Sequence, residues 1–234
     1  MLDFDFEPGA PSWAKRLAAF DLETTGLDLE TSRVVTACIA VLDQNGETTE
    51  LFEWLVDPGI EIPQAASAVH GISTEQARSK GQQAQTAIPE IIQKLADLNR
   101  EMPLVAFNAA YDFSILHFEA KRYGLEPFDP KPVIDPLVLD RKLVKRFGKR
   151  TLSILCPDYG VVLENAHNST ADAVAAGRLA QRQAVKLPEL ALSAEELHEL
   201  QVVWADEWAL SFEKYMKEKV RPDFQADLGW PVRT

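Results

Sequence analysis

Asp21 and Glu23 in AFDLETTGLD, Asp112 in FNAAYDFSIL, and His167 with Asp172 in HNSTADAVAA are residue types that bind divalent cations and move protons. Each segment places carboxylates at the end of an apolar stretch, where an uncompensated negative charge is costly to bury. Residues two apart in a strand share a face, so Asp21 and Glu23 stand side by side with Leu22 turned into the opposite layer. Two like charges held that close repel, and one is protonated unless a cation sits between them. Carboxylate oxygens are hard ligands and suit magnesium or manganese rather than zinc. A histidine titrates near neutral pH, which fits His167 to accept the proton of an attacking water. Together the five residues describe metal-assisted hydrolysis.

Taken singly, each has a structural explanation. Asp-x-Glu is also an exposed strand end, and Asp112 stands where an acid caps a helix. Asp172 is a first-turn acid favoured by the helix dipole, with Ser169 and Thr170 as caps. A loop histidine such as His167 is ordinarily just solvated. His70, in AASAVHGIS, fits a structural role equally well, and His117 and His198 fall in helices without an assigned part.

The elements that must position these residues follow from periodicity. Leu17–Leu22, Val34–Leu42 and Thr48–Val56 are strand-like, with Asn45-Gly46 turning the chain between the last two. Ile88–Leu98 has helical spacing, Pro103–Phe107 reads as a short buried strand, and Ser114–Tyr123 as a helix beginning near Asp112. Val133–Asp135 is a further strand before a helix over Leu137–Val144. Thr151–Leu155 and Thr170–Val185 are helical. Antiparallel strands followed by alternating strands and helices predict an α/β layer with a mixed sheet. Residues 1–15 read as a loose arm. After Leu187-Pro188, Ser193-x-x-Glu196 is a capping box opening an amphipathic helix that carries Trp204 and Trp208. That helix is expected to pack on the main domain, with dimerisation or partner docking as the alternative.

The bulk properties limit the partners. The chain has 234 residues, 46% of them hydrophobic, and a net charge of −12. So acidic a chain argues against broad electrostatic nucleic-acid binding, but not against gripping a strand end through metals and a local basic strip. One strip exists, DRKLVKRFGKR, with Arg141, Lys142, Lys145, Arg146, Lys149 and Arg150; its plain alternative is a solvated helix face. No apolar run approaches the roughly 18 residues of a membrane span, and the N-terminus has no apolar signal core, so a cytoplasmic location is expected. Cys38 and Cys156 lie in apolar surroundings and read as buried free thiols.

The order DLETTG, FNAAYD, HNSTAD, at these separations, resembles the DEDDh branch of the 3′–5′ exonucleases, the family that includes the proofreading epsilon subunit of bacterial replicative polymerases. The resemblance covers roughly residues 15 to 187. The sister branch carries a tyrosine where this chain has Asn168. The resemblance implies an RNase H-like α/β fold, a mixed five-stranded sheet flanked by helices, with an exonuclease domain over 1–187 and a helical extension over 188–234. It implies that Asp21, Glu23, Asp112 and Asp172 hold two magnesium or manganese ions that clamp the scissile phosphate. Asp21 would bridge both, and His167 would act as general base. Val69-His70-Gly71-Ile72 matches a family segment that helps form the pocket for the terminal nucleotides, which Thr24, Gly26, Leu27, Asn108 and Phe113 would also line. One departure stands out: many members have His-Asn-Ala-x-Phe-Asp where this chain has Phe107-Asn108-Ala109-Ala110-Tyr111-Asp112. The implied substrate is the 3′ end of a single strand, DNA favoured, in proofreading or repair, with nucleoside 5′-monophosphates as products. RNA trimming and a non-catalytic scaffold are the alternatives. A polymerase docking through the tryptophan-bearing helix, or a homodimer formed there, are the implied assemblies.

Overall fold

The computed structural model describes residues 10–163 and 167–234. Its sheet is built on β1 (Leu17–Thr24), β2 (Val34–Leu42) and β3 (Thr48–Asp57), an antiparallel meander. The Asn45-Gly46 turn closes the β2–β3 hairpin, with Gly46 at φ 74° and the Asp43 carboxylate accepting the Asn45 and Glu47 amides. After α1 (Gln64–His70), α2 (Thr74–Lys80), the two-residue β4 (Gln82–Gln83) and α3 (Ala84–Asn99), the chain crosses over. It adds β5 (Leu104–Val105) parallel to β1, then α4 (Ala109–Arg122) and β6 (Val133–Ile134) parallel to β5. Helices α5 (Pro136–Leu143), α6 (Leu152–Asp158), α7 (Ser169–Lys186) and α8 (Ala194–Lys219) follow.

The sheet order is β4-β3-β2-β1-β5-β6, so the expected mixed sheet carries one more strand than anticipated, β4, paired in parallel on β3 at the edge. Two residues without alternation carry no periodicity by which to find it. The strand expected over Pro103–Phe107 shortens to Leu104–Val105.

Strand β1 is buried on both faces because each belongs to a different core. Ala18, Phe20 and Leu22 pack with α3 and α4, whereas Leu17 and Ala19 pack with α7. Helix α7 lies close to the sheet at Gly177, where a Cβ would stand 2.6 Å from Leu42 Cδ1 and 3.0 Å from Ala19 Cβ.

The N-terminal arm departs from expectation. Residues 1–9 lie outside the described residues, but Ser12–Lys15 forms a 3-10 helix with Trp13 and Ala14 buried, and the Trp13 indole donates to Leu190 O at 3.3 Å. The buried tryptophan ties Ser12–Lys15 to the domain.

Helix α8 opens on the capping box Ser193/Glu196 and packs along α5 and β6. Its buried polar residues are specific: His198 Nδ1 accepts the Val133 amide at 3.0 Å, and Gln201 bridges the Asp135 amide (2.7 Å) and Val133 O (3.0 Å). The last residues return over the domain and bury Trp230. Among the described residues no helix is long and apolar enough to cross a membrane. Cys38 and Cys156 are free and buried, and burial pushes both thiols up to about 12.

Candidate active site

The C-terminal end of β1 presents Asp21 and Glu23 on the α7 face, with Cys38 and Thr36 of β2 opposite them. Asp172 enters from the first turn of α7. One carboxylate oxygen from each of Asp21, Glu23 and Asp172 lies within 4.8 Å of the others. Asp112 arrives from the first turn of α4 on the other side of the sheet; it is 3% exposed, and its Oδ1 accepts the Leu22 amide at 3.1 Å. It is therefore not a helix cap. The cap position is Asn108, in the left-handed region at φ 65°.

Asn168, rather than Ser169 or Thr170, caps α7, accepting the Ala171 amide at 3.1 Å. Ser169 instead receives a hydrogen bond from Thr36 at 3.1 Å, and Thr170 donates to Glu53, so both tie the helix start to the sheet. His167 is exposed at φ 70°, and its amide donates to Asp172 Oδ2 at 2.9 Å. A non-glycine residue in that conformation is held there by its surroundings.

Electrostatics argue that this cluster is incomplete without cations. Burial, then the charges of Asp112, Asp172 and Glu23, raise the Asp21 carboxyl well above the usual carboxylate range. Burial and then Asp172 lift Glu23 to about 7. Burial also raises Asp112, opposed by the Leu22 amide, and Asp172, opposed by the amide and charge of His167. The ion pairs found among the described residues place no lysine or arginine on any of the four. An all-oxygen, cation-free acid cluster is the donor set that magnesium or manganese takes.

Beside the acids lies a cavity of about 560 Å³, lined by Glu23, Thr24, Gly26, Leu27, Val69, His70 and Tyr111 among others. Its wall is largely apolar, with Leu27 87% and Val69 53% exposed. Five of the seven expected pocket residues are therefore brought together. Asn108 and Phe113 are not. Phe113 is buried against Phe20, ring centroids 5.5 Å apart, and Asn108 lies beneath the β6 end of the sheet near Trp204 and Arg233. The register of α4 turns Phe113 inward, Asn108 is exposed at the cap position on the β6 side, and Tyr111 faces the pocket. His70 accepts the Ile72 amide on Nδ1 at 3.2 Å, and burial lowers its pKa, so it enters the pocket wall neutral.

Tyr111 is the pocket residue that the sequence motif marked only as a departure. Its hydroxyl lies 2.7 Å from Gly26 O and beside Thr24 Oγ1, itself 2.8 Å from Gly26 O, so two hydroxyl protons are shared over a three-oxygen network. The phenolic oxygen thus pins the Thr24–Gly26 turn to α4. The basic strip is mostly spent on the fold: Arg146 and Arg150 pair with buried Asp140, Lys142 with Glu207, and Arg141 stacks 3.5 Å from the Trp208 ring centre. Lys145 and Lys149 are exposed.

The RNase T exonuclease family model matches residues 18–180, spanning all five motif residues. The chain belongs to this exonuclease family. Its motifs place it with the DEDDh-type 3′–5′ exonucleases, hydrolases of phosphodiester bonds. The exonuclease is 30% identical over 160 residues to the PolC-type DNA polymerase III of Streptococcus suis, covering 68% of this chain and 10% of that polymerase. The chain thus spans about a tenth of the length of that relative. Among solved structures, E. coli exonuclease I in complex with a dA16 oligonucleotide matches with a TM-score of 0.63 at 18% identity, over 76% of this chain and 42% of that one. A 3′-exonuclease described for 3′-end-specific recognition of histone mRNA stem-loop matches with a TM-score of 0.63 at 17% identity, over 77% and 67%. At such identities the two structures show a shared fold.

Proposed function

We propose that this exonuclease removes nucleotides from the 3′ end of single-stranded DNA, releasing nucleoside 5′-monophosphates. The observation that carries the reading is the convergence of Asp21, Glu23 and Asp172, with Asp112 from the opposite layer, into one acid cluster beside an open apolar pocket. Magnesium or manganese held by these four acids would supply Lewis-acid charge for the scissile phosphate and the water. His167 accepts the proton of that water as it attacks phosphorus and the 3′ oxygen of the next nucleotide leaves. Its exposed side chain, on a backbone fixed by Asp172, suits a base that must exchange its proton with solvent. Leu27 and Val69 offer exposed aliphatic surface against which an unpaired terminal base packs. His70 and the Thr24–Gly26 turn form the floor beneath it. DNA is favoured because the PolC-type relatives are DNA polymerases; a role in proofreading or repair follows from the same likeness.

The test uses purified protein, magnesium or manganese, and 5′-labelled DNA and RNA, each single-stranded, paired and mismatched. Stepwise shortening of DNA, fastest at a mismatched or single-stranded end, is expected. Rapid loss of short RNA with DNA untouched would transfer the assignment to the RNA-trimming alternative.

A further inference from the structure

Outside the acid cluster, the buried carboxylate of Asp135 stands close to the α4 start that carries Asp112. Asp135, at the end of β6, is 1% exposed and takes part in no metal-like group among the described residues. Four N–H groups point at it: the amides of Asn108 (3.0 Å), Ala109 (2.9 Å) and Leu137 (2.9 Å), and the indole of Trp230 (3.3 Å). The Leu137 bond is the N-cap of α5, and the Asn108 and Ala109 bonds join that cap to the start of α4. The fourth comes from the far end of the chain, outside the 18–180 stretch that matches the family.

The amides of Asn108 and Ala109 belong to the turn that launches α4. Asn108 sits at φ 65°, the left-handed region that asparagine tolerates better than most non-glycine residues. One helical turn later comes Asp112, whose carboxylate reaches across to the Leu22 amide. A second tie reaches the same turn: the Arg233 amide donates to Ser114 Oγ at 2.8 Å, and Ser114 Oγ donates to Ala110 O at 2.5 Å. The last five residues of the chain therefore reach the first turn of α4 through two intermediaries, Asp135 and Ser114. Gln201 of α8 holds the Asp135 backbone from beneath.

We propose that the C-terminal segment is a working part of the site, in which Trp230 and Asp135 are positioning residues that set the placement of Asp112 among the acids. The inference rests on Asp112 serving as a metal ligand. Groups that orient metal ligands typically change metal affinity by about 10–100-fold when removed. Losing the carboxylate that holds the Asn108 and Ala109 amides would free the start of α4 and move Asp112 with it, while Asp21, Glu23 and Asp172 stay on β1 and α7.

The experiment titrates Mn2+ into the 234-residue chain without substrate, read by electron paramagnetic resonance, alongside kcat and KM on a DNA oligonucleotide. Trp230→Phe keeps the ring and deletes the indole donor; Asp135→Asn keeps the shape and weakens acceptance. Trp13→Phe is the matched control, since it removes a buried indole bond of the same 3.3 Å length, to Leu190 O, in the other core cluster. Asp135→Asn is expected to weaken Mn2+ binding about tenfold. Trp230→Phe should weaken it by a smaller factor, with kcat falling and the oligonucleotide KM unchanged. Trp13→Phe should lower thermal stability without moving Mn2+ binding. If wild-type protein binds Mn2+ and Trp230→Phe binds it as wild type does, the proposal is overturned and the metal site stands. If wild-type protein binds no Mn2+, the metal site and the proposal fall together.

Discussion

Replacing Glu23 with glutamine should make the metal-free protein more stable at alkaline pH while abolishing what metal adds. Burial and the neighbouring Asp172 lift the Glu23 carboxyl from 4.5 to about 7, whereas in the unfolded chain it titrates at its ordinary value. Below the ordinary value both states are protonated and Glu23 contributes no pH-dependent term. Between 4.5 and about 7 the folded protein binds more protons than the unfolded one, so stability falls as pH rises. Above that window the full penalty is present. A displacement of this size corresponds to about 3 kcal/mol. Partial exposure of the side chain screens it, and a working magnitude is about 1–2 kcal/mol. Glutamine has nearly the same shape and no charge to lose, so in EDTA at pH 8 Glu23→Gln should melt about 2–8 °C above wild type. The gap should close near pH 4.5, where the wild-type acid is itself neutral. Adding Mg2+ or Mn2+ should raise the wild-type midpoint and leave that of Glu23→Gln nearly unchanged. The measurement is a set of thermal melts across pH with and without metal. If Glu23→Gln melts below wild type in EDTA at pH 8, the acids are not in mutual repulsion and the electrostatic argument for a metal site is wrong.

Tyr111→Phe removes the hydroxyl that joins α4 to Gly26 O and Thr24 Oγ1; a loss of about 1 kcal/mol in stability and a raised KM for the oligonucleotide are expected, from denaturant melts and steady-state kinetics. Gly177→Ala forces a methyl against Leu42 and Ala19, which should cost about 1–2 kcal/mol after the gain in helix propensity, and should lower kcat because α7 carries Asp172. Asp140→Ala strips the buried partner from Arg146 and Arg150, and a destabilisation of about 3 kcal/mol by chemical denaturation should follow.

The parts of the site that sequence made legible are those fixed by local rules. Asp21 and Glu23 share a face because a strand repeats every two residues, and the Ser193–Glu196 box marks the start of α8 because capping is local. The order of DLETTG, FNAAYD and HNSTAD carried the distant acids into one picture. What stayed hidden depends on tertiary placement. Phe113 has the composition of a stacking residue, yet one helical step turns it into the core against Phe20, and Tyr111 takes the pocket. Asp135, His198 and Gln201 look like ordinary polar residues until β6, α8 and the C-terminal tail are seen to meet. Strand β4 is too short for any periodicity, and the basic strip looked like free charge because Asp140, which neutralises two of its arginines, lies at its own N-terminal edge.

The central claim is that four acids and His167 form one metal-dependent site acting on a 3′ end. Its most direct test is a time course on a 5′-labelled single-stranded oligonucleotide, comparing wild type with His167→Ala at equal Mn2+ occupancy. Wild type should give a ladder shortening from the 3′ end that EDTA abolishes, and His167→Ala should bind Mn2+ normally and cut negligibly. Near-normal cutting by His167→Ala, or cutting by wild type that persists in EDTA, would contradict the account.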